Sequence, residues 1–236
     1  MIEIMEADKI LVLYSGGSDS TLAAAIAARK AKTVYLITYK RFGFFSPDLV
    51  SHNMHALEHK FPEVRFVSEI IDIESEYRDV AYSNHLGDLR KYGLITQSVC
   101  GLCKVAMHWR TIKECMKKGV HLVYDGAVES TNIFPAQNKR IMLDGLSGLY
   151  REHGITYENP VYDMDTQRML FKEGIIPSDK YKGTSKDIQP VCSQQLLFTR
   201  FVDYYLAKHS FSEYEERVGE YYREKLDYVR GRLGDD

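Results

Sequence analysis

Apolar residues in this chain form short continuous runs, separated by longer stretches in which apolar positions recur with helical spacing. The first run, Ile10–Tyr14, has five apolar or aromatic residues in succession, as in a strand buried on both faces. Other strands are predicted at 33–39 and 120–124, at 63–71 where apolar and polar residues partly alternate, and as a fifth strand or extended segment at 156–162. Strands that alternate with helices favour crossover connections and parallel pairing. We therefore predict an α/β fold with a doubly wound, mostly parallel, five-stranded sheet.

Helical periodicity connects these strands and continues beyond the last of them. The predicted helices cover about 20–30, 47–60, 73–92, 102–118, 165–174, 194–209 and 212–233. In the fourth of these, Val105, Trp109, Ile112 and Met116 form one apolar face. Residues 127–153 give no assignable pattern. We predict one large domain over residues 1–190 and a C-terminal helical segment over residues 191–236 that packs on it.

Composition narrows the class of protein. The chain has 236 residues, of which 44% are hydrophobic, and this is enough for one large core. A formal net charge of −2 is not the basic signature of a nucleic-acid binder. No apolar run has membrane-spanning length, and the acidic stretch Met1–Asp8 lacks a signal-peptide pattern. The expected location is the cytoplasm, where four cysteines are thiols, metal ligands or catalytic groups rather than disulfides.

A polar turn, Ser15–Ser20, separates the first strand from the first helix. Its sequence is Ser-Gly-Gly-Ser-Asp-Ser. A strand–turn–helix of this kind directs unpaired backbone N–H groups and the positive end of a helix dipole at one point. Gly16 and Gly17 let the backbone approach a ligand closely, and the three serines add hydroxyl donors. The turn therefore predicts an anion site of phosphate or pyrophosphate size.

Two other strand ends are expected beside this turn, because ligands bind beyond the carboxyl ends of parallel strands. Thr38 ends the second strand, and Asp125-Gly126 close the fourth. Glu129 follows shortly after, and either carboxylate is a candidate for a direct role. The basic residues Lys40, Arg41, Lys139 and Arg140 are candidates for an RNA path, although such clusters are usually solvated surface.

Three of the four cysteines are spaced as potential metal ligands. Cys100 and Cys103 form a C-x-x-C motif just before a predicted helix, and Cys192 precedes another. Thiolates at helix N-termini are stabilised by the dipole, so the three together suit one metal site. Cys115 lies roughly 18 Å further along the helix and is predicted to be a core thiol. A zinc site with a fourth ligand, a catalytic dithiol and no metal at all remain alternatives.

The turn resembles the pyrophosphate loop, SGGxDS, of the N-type ATP pyrophosphatases, the PP-loop superfamily. The cysteine layout resembles that of the iron–sulfur-dependent tRNA thiolation enzymes in this superfamily. The resemblance spans about residues 9–200 and includes Asn159-Pro160 and Gln189–Cys192. The chain departs from the family where the fourth strand ends, since the family usually has a glycine followed by polar and acidic residues, and this chain has Gly126-Ala-Val-Glu-Ser. It also lacks the N-terminal zinc region and the positive charge of some relatives.

The resemblance implies an adenine nucleotide alpha-hydrolase-like fold and an ATP-dependent adenylating sulfurtransferase. ATP and Mg²⁺ are the implied ligands, with the nucleotide on Ser15, Gly16, Gly17, Ser18, Asp19, Ser20, Thr38 and Gly126. A [4Fe–4S] cluster is implied on Cys100, Cys103 and Cys192, with Zn²⁺ as the alternative. The catalytic residues implied are Asp19, which caps the helix and helps to place Mg²⁺, and Cys100 and Cys103.

The partners implied are ATP, a sulfur donor and an acceptor carbonyl on a tRNA base or a small metabolite. A homodimer is compatible with this interpretation, and no membrane is involved. Two other function classes remain open from the residues. One is a PP-loop synthetase that forms a C–N bond on a small molecule, with structural zinc or no metal. The other is a nucleotide-binding regulatory module without turnover.

Overall fold

A computed structural model describes residues 7–42, 48–97, 99–129, 140–178 and 193–234 of the chain. Its five strands are β1 (Ala7–Leu13), β2 (Ala31–Lys40), β3 (Arg65–Asp72), β4 (Leu122–Asp125) and β5 (Thr156–Glu158). All neighbouring strands pair in parallel, in the order β3-β2-β1-β4-β5. The predicted parallel five-stranded sheet is thereby confirmed. Because the order reverses between β1 and β4, a crevice is expected beyond the carboxyl ends of these two strands.

The helices largely follow the predicted pattern. They are α1 (Ser18–Ala28), α2 (Asp48–Lys60), α3 (Glu74–Tyr82), α4 (His85–Tyr92), α5 (Val99–Lys118), α6 (Arg140–Glu152), α7 (Thr166–Lys172), α8 (Ser193–Leu206) and α9 (Phe211–Gly234). The predicted helix at 73–92 is two helices, and α6 lies in a stretch where no helix was predicted. Asp165 is the N-cap of α7, because its side chain accepts a hydrogen bond from the Arg168 N–H.

The sheet has a hydrophobic core on each face, and β1 contributes to both. Ile10, Val12 and Tyr14 pack with α1, α2 and α7 on one face. Leu11 and Leu13 pack on the other face with α3, α5 and α6. Every residue from Ile10 to Tyr14 is at most 9% exposed. Burial on both faces explains the continuous apolar run in the sequence, and it fixes the position of the turn that follows.

Helix α9 lies outside α3, α5 and α6 and contributes seven buried residues to the second core. Glycines make room for it at the contacts. A Cβ on Gly101 of α5 would lie 2.0 Å from the Tyr222 side chain, and one on Gly145 of α6 would lie 2.6 Å from Leu226. Helix α9 therefore closes the outer side of the helical layer that covers the sheet. Within the described residues, none of the helices combines the length and apolar character that crossing a bilayer requires.

Candidate functional site

The turn after β1 has a backbone shaped for an anion. Gly16 adopts a φ of +79°, a conformation that favours glycine. Gly17 is the N-cap of α1, and no described side chain caps it. The first backbone bond of the helix runs from the Thr21 N–H to the Gly17 carbonyl at 3.0 Å. The N–H groups of residues 18–20 therefore precede the helical ladder and, together with the helix dipole, attract negative charge.

The three serines of the turn have different surroundings. Ser20 is 5% exposed, and its hydroxyl donates to the Gly17 carbonyl at 3.2 Å. The same hydroxyl oxygen accepts a hydrogen bond from the Ser15 N–H at 3.2 Å. Ser15 is exposed and Ser18 half-buried. The buried Ser20 side chain thus stabilises the turn through hydrogen bonds inside it, whereas the hydroxyls of Ser15 and Ser18 are accessible to a ligand.

Asp19 connects the start of α1 to the start of α7. The Thr166 hydroxyl donates to Asp19 Oδ1 at 2.5 Å, and Thr166 is buried. The Asp19 carboxylate also lies in the first turn of α1, where negative charge stabilises the helix. In this conformation Asp19 holds two helix N-termini together, and its assignment as a catalytic residue stays a prediction.

Gly126 packs directly on the backbone at the start of α1. A Cβ on Gly126 would lie 2.7 Å from the Ser20 nitrogen and 2.9 Å from the Asp19 carbonyl carbon. Thr38 is tied to the same region, because its hydroxyl donates to the Tyr14 carbonyl at 2.7 Å. The turn, Thr38 and Gly126 therefore meet at one edge of the sheet, beyond the carboxyl ends of β1, β2 and β4.

A buried polar network lies beneath this edge. The Lys104 ammonium is 2.8 Å from Asp125 Oδ2, and the Tyr157 hydroxyl donates to the same oxygen at 2.7 Å. Burial alone would raise the pKa of Asp125, but the charge and hydrogen bond of the Lys104 ammonium, helped by the nearby His108 ring, hold this pKa well below the usual range. Lys104 is 5% exposed, so it is a buried member of this network and not a solvated surface lysine.

His108 completes the network and was not singled out by the sequence. It is fully buried, its Nδ1 lies 2.8 Å from the Tyr150 hydroxyl, and its Nε2 lies 3.6 Å from Asp125 Oδ2. The Tyr150 and Tyr157 rings stack at 5.0 Å. The available signal was spacing, because His108 lies four residues after Lys104 and so shares its face of α5. Burial lowers the pKa of His108 and favours the neutral imidazole.

We expect the stability of the protein to fall as the pH drops below about 6.5, the ordinary pKa of histidine. Because the folded protein holds His108 neutral, the unfolded chain binds the additional proton, and acidification favours unfolding. One such proton changes the free energy of unfolding by up to about 1.4 kcal/mol per pH unit. Urea unfolding between pH 7.5 and 5 measures this slope.

The variant His108→Gln should flatten that pH dependence and keep a polar group beside Tyr150. The variant His55→Gln, at an exposed histidine, is the matched control and should leave the slope unchanged. An equal slope in His108→Gln and in the unsubstituted protein would contradict the assignment.

The C-x-x-C motif lies inside a helix rather than before it. Helix α5 begins at Val99, so Cys100 and Cys103 stand three positions apart on one helical face. Cys103 is 5% exposed and Cys100 is half-buried. Cys192 lies outside the described residues, within which no group of three potential metal ligands occurs. Two thiols one turn apart suit two corners of a thiolate site.

The remaining candidate residues are placed as follows. Cys115 is fully buried, which confirms it as a core thiol, and burial, with a contribution from Glu114, raises its pKa to about 12. The Arg41 guanidinium packs on the Tyr77 ring at 4.0 Å and is buried. Arg140 lies 4.2 Å over the Tyr162 ring, Lys40 is exposed, and Lys139 lies outside the described residues.

Comparison with known proteins supports the fold. No family model matches the chain, and no curated protein matches it significantly. A solved structure of a 4-thiouridine synthetase in complex with RNA and bound ATP aligns with 93% of this chain at 14% identity and a TM-score of 0.51. The chain has the fold of the PP-loop ATP pyrophosphatases. It spans about half the length of that neighbour, of which 53% is covered.

Two other solved structures align with lower TM-scores. The U34-tRNA thiolase NcsA from Methanococcus maripaludis with its [4Fe–4S] cluster has 13% identity and a TM-score of 0.42, with 95% of this chain and 74% of the thiolase covered. A predicted subunit of tRNA methyltransferase from Methanocaldococcus jannaschii has 15% identity and a TM-score of 0.37, with 78% and 96% covered. In the PP-loop fold of this chain, Ser15–Ser20 occupy the turn after β1.

Proposed function

We propose that this protein is a PP-loop ATP pyrophosphatase that adenylates a carbonyl oxygen and replaces that oxygen by sulfur. The observation that carries the proposal is the uncapped N-terminus of α1, which lies beyond the carboxyl ends of β1 and β4 where the strand order reverses. Its N–H groups and the accessible hydroxyls of Ser15 and Ser18 are donors suited to the phosphates of ATP. The PP-loop fold of the chain supports the same ligand.

The reaction begins when the acceptor carbonyl oxygen attacks the α-phosphorus of ATP. An O–P bond forms, the bond to the β-phosphate oxygen breaks, and pyrophosphate leaves. The N–H groups at the start of α1 stabilise the negative charge that grows on this leaving group. Mg²⁺ bound with the nucleotide offsets the phosphate charge. Sulfide then attacks the activated carbon, and AMP departs with the former carbonyl oxygen.

The acceptor we propose is a base of tRNA, as the solved neighbour in complex with RNA suggests. The cysteines Cys100, Cys103 and Cys192 would hold a [4Fe–4S] cluster. When bound, such a cluster would supply iron–sulfur chemistry for the transfer of sulfide. Lys104 follows Cys103 directly and forms an ion pair with Asp125, so it connects the C-x-x-C turn to the end of β4. The expected location remains the cytoplasm.

The test is pyrophosphate release from ATP by anaerobically purified protein, with bulk tRNA and sodium sulfide. We expect release that requires tRNA, and sulfur in the recovered tRNA. The variants Cys100→Ser and Cys103→Ser should still bind ATP but lose sulfur transfer at least 100-fold, because each removes a proposed thiolate ligand. Mass spectrometry of nucleosides from the tRNA measures the transfer, and absorbance near 400 nm reports the cluster.

Cys115→Ser is the matched control and should keep both ATP binding and sulfur transfer, since Cys115 is a buried core thiol. A protein that binds no ATP would overturn the proposal. Pyrophosphate release that responds to ammonia and a small carbonyl compound, but not to tRNA and sulfide, would point instead to a synthetase that forms C–N bonds.

A further inference from the structure

Asn53 of α2 binds the PP-loop from the protein interior, although no sequence motif marks it. Its side-chain N–H₂ donates to the Gly16 carbonyl at 2.7 Å, across 37 residues of sequence. Asn53 is 8% exposed. A buried amide is unfavourable unless it is hydrogen-bonded, and here the loop carbonyl satisfies it.

The peptide that Asn53 holds lies between two glycines. A trans peptide is planar, so the Gly16 carbonyl and the Gly17 N–H point in opposite directions. Because the Gly16 carbonyl is held toward buried Asn53, the Gly17 N–H is directed to the outer side of the loop. There it donates a hydrogen bond of 3.4 Å to the hydroxyl oxygen of exposed Ser15. That length marks a weak bond, which leaves the N–H available to a stronger acceptor such as a phosphate oxygen.

Glycine also makes this peptide easy to invert. Gly16 and Gly17 both tolerate positive and negative φ, so little in the backbone itself opposes rotation of the peptide between them. An inverted peptide would turn the negative end of the carbonyl dipole toward the phosphates. The hydrogen bond from Asn53 opposes this inversion.

We propose that Asn53 is a positioning residue for the phosphate chain of ATP, which acts by holding the Gly16–Gly17 peptide in its anion-binding orientation. This inference rests on the proposed function. It assigns Asn53 no contact with the nucleotide. Its effect should therefore fall on the phosphates alone and leave the recognition of adenosine unchanged.

The test compares the binding of Mg-ATP, pyrophosphate and adenosine by isothermal titration calorimetry. In Asn53→Asp, a carboxylate of the same shape faces the Gly16 carbonyl and repels it. We expect this variant to bind ATP and pyrophosphate at least tenfold more weakly, with adenosine affinity within twofold of that of the unsubstituted protein. The serine side chain of Asn53→Ser is too short to reach Gly16. This variant should lose less affinity for ATP and pyrophosphate than Asn53→Asp, and it replaces that variant in the test if Asn53→Asp does not fold.

The matched control is Thr96→Val. The Thr96 hydroxyl also donates to a glycine carbonyl, that of Gly93 at 2.8 Å, and Thr96 is buried but is not part of the loop. This variant should lose stability to urea without losing affinity for pyrophosphate.

Two outcomes separate the inference from the proposed function. If the unsubstituted protein binds neither ATP nor pyrophosphate, the proposed function fails and the role of Asn53 fails with it. If the unsubstituted protein binds both and the Asn53 variants bind them equally well, or lose adenosine affinity in parallel, only the positioning role is wrong.

Discussion

Replacing Lys104 by methionine is expected to lower the free energy of unfolding by about 3–5 kcal/mol, a severe loss for a single substitution. Lys104 and Asp125 form an ion pair whose side chains are 6% and 12% exposed. Methionine fills similar space but leaves the Asp125 carboxylate buried without its cationic partner. Urea unfolding at pH 7, followed by far-UV circular dichroism, measures the change.

A second substitution distinguishes charge from packing. The double variant Lys104→Met with Asp125→Asn removes both charges of this pair. The Tyr157 hydroxyl still has a side-chain oxygen at position 125 to which it can donate. The double variant should recover a substantial part of the lost stability. Lys117→Met, at an exposed position on the same helix, is the control and should change stability by no more than about 0.5 kcal/mol. A loss of that small size in Lys104→Met would show that the pair is not effectively buried.

Replacing Gly126 by alanine is expected to reduce acceptor-dependent pyrophosphate release by about 100-fold, the effect typical of a misplaced reactive group. The added Cβ would lie 2.7 Å from the Ser20 nitrogen. Its neighbours are backbone atoms of α1, which cannot swing aside as a flexible side chain can. Either the end of β4 or the N-terminus of α1 must shift, and the proposed phosphate site shifts with it. Steady-state release of pyrophosphate measures the effect.

Gly148→Ala is the matched control for that substitution. Gly148 lies within α6, and an added Cβ there meets nothing within 4 Å. Because alanine favours helix more than glycine, this variant should be more stable by up to about 1 kcal/mol and fully active. Activity of Gly126→Ala equal to that of Gly148→Ala would mean that the close approach of β4 to α1 has no part in the reaction.

The central strand β1 was predictable because Ile10–Leu13 are buried on both faces of the sheet, and such burial selects a continuous apolar run. The turn after β1 was predictable because a phosphate site at a helix N-terminus needs glycine and small hydroxyl residues in a fixed order. The network around Asp125 was not predictable in the same way. Lys104 and His108 lie on α5, Tyr157 lies on β5, and their pairing with Asp125 depends on how α5 and β5 pack beside β4.

Helical glycines account for one misplaced helix start and one missed helix. Because glycine lowers helix propensity, Gly101 favoured a start of α5 at about residue 102, and Gly145 and Gly148 obscured α6. In the fold, Gly101 and Gly145 lie against Tyr222 and Leu226 of α9. Their role is to admit a helix more than 70 residues further along the chain, which local sequence cannot reveal. Met116 was predicted to lie on the buried apolar face of α5, but it is 50% exposed. Helical periodicity shows which residues share a face, but it does not show how far along the helix a neighbouring element covers that face.

The position of α9 has a consequence for biosynthesis. A ribosome makes this helix after every strand of the sheet and after α5 and α6, on which it packs. Until α9 emerges, a nascent chain exposes the glycine-lined outer surfaces of those two helices together with the apolar residues around them. That interval is when the emerging polypeptide is most open to aggregation and to capture by chaperones.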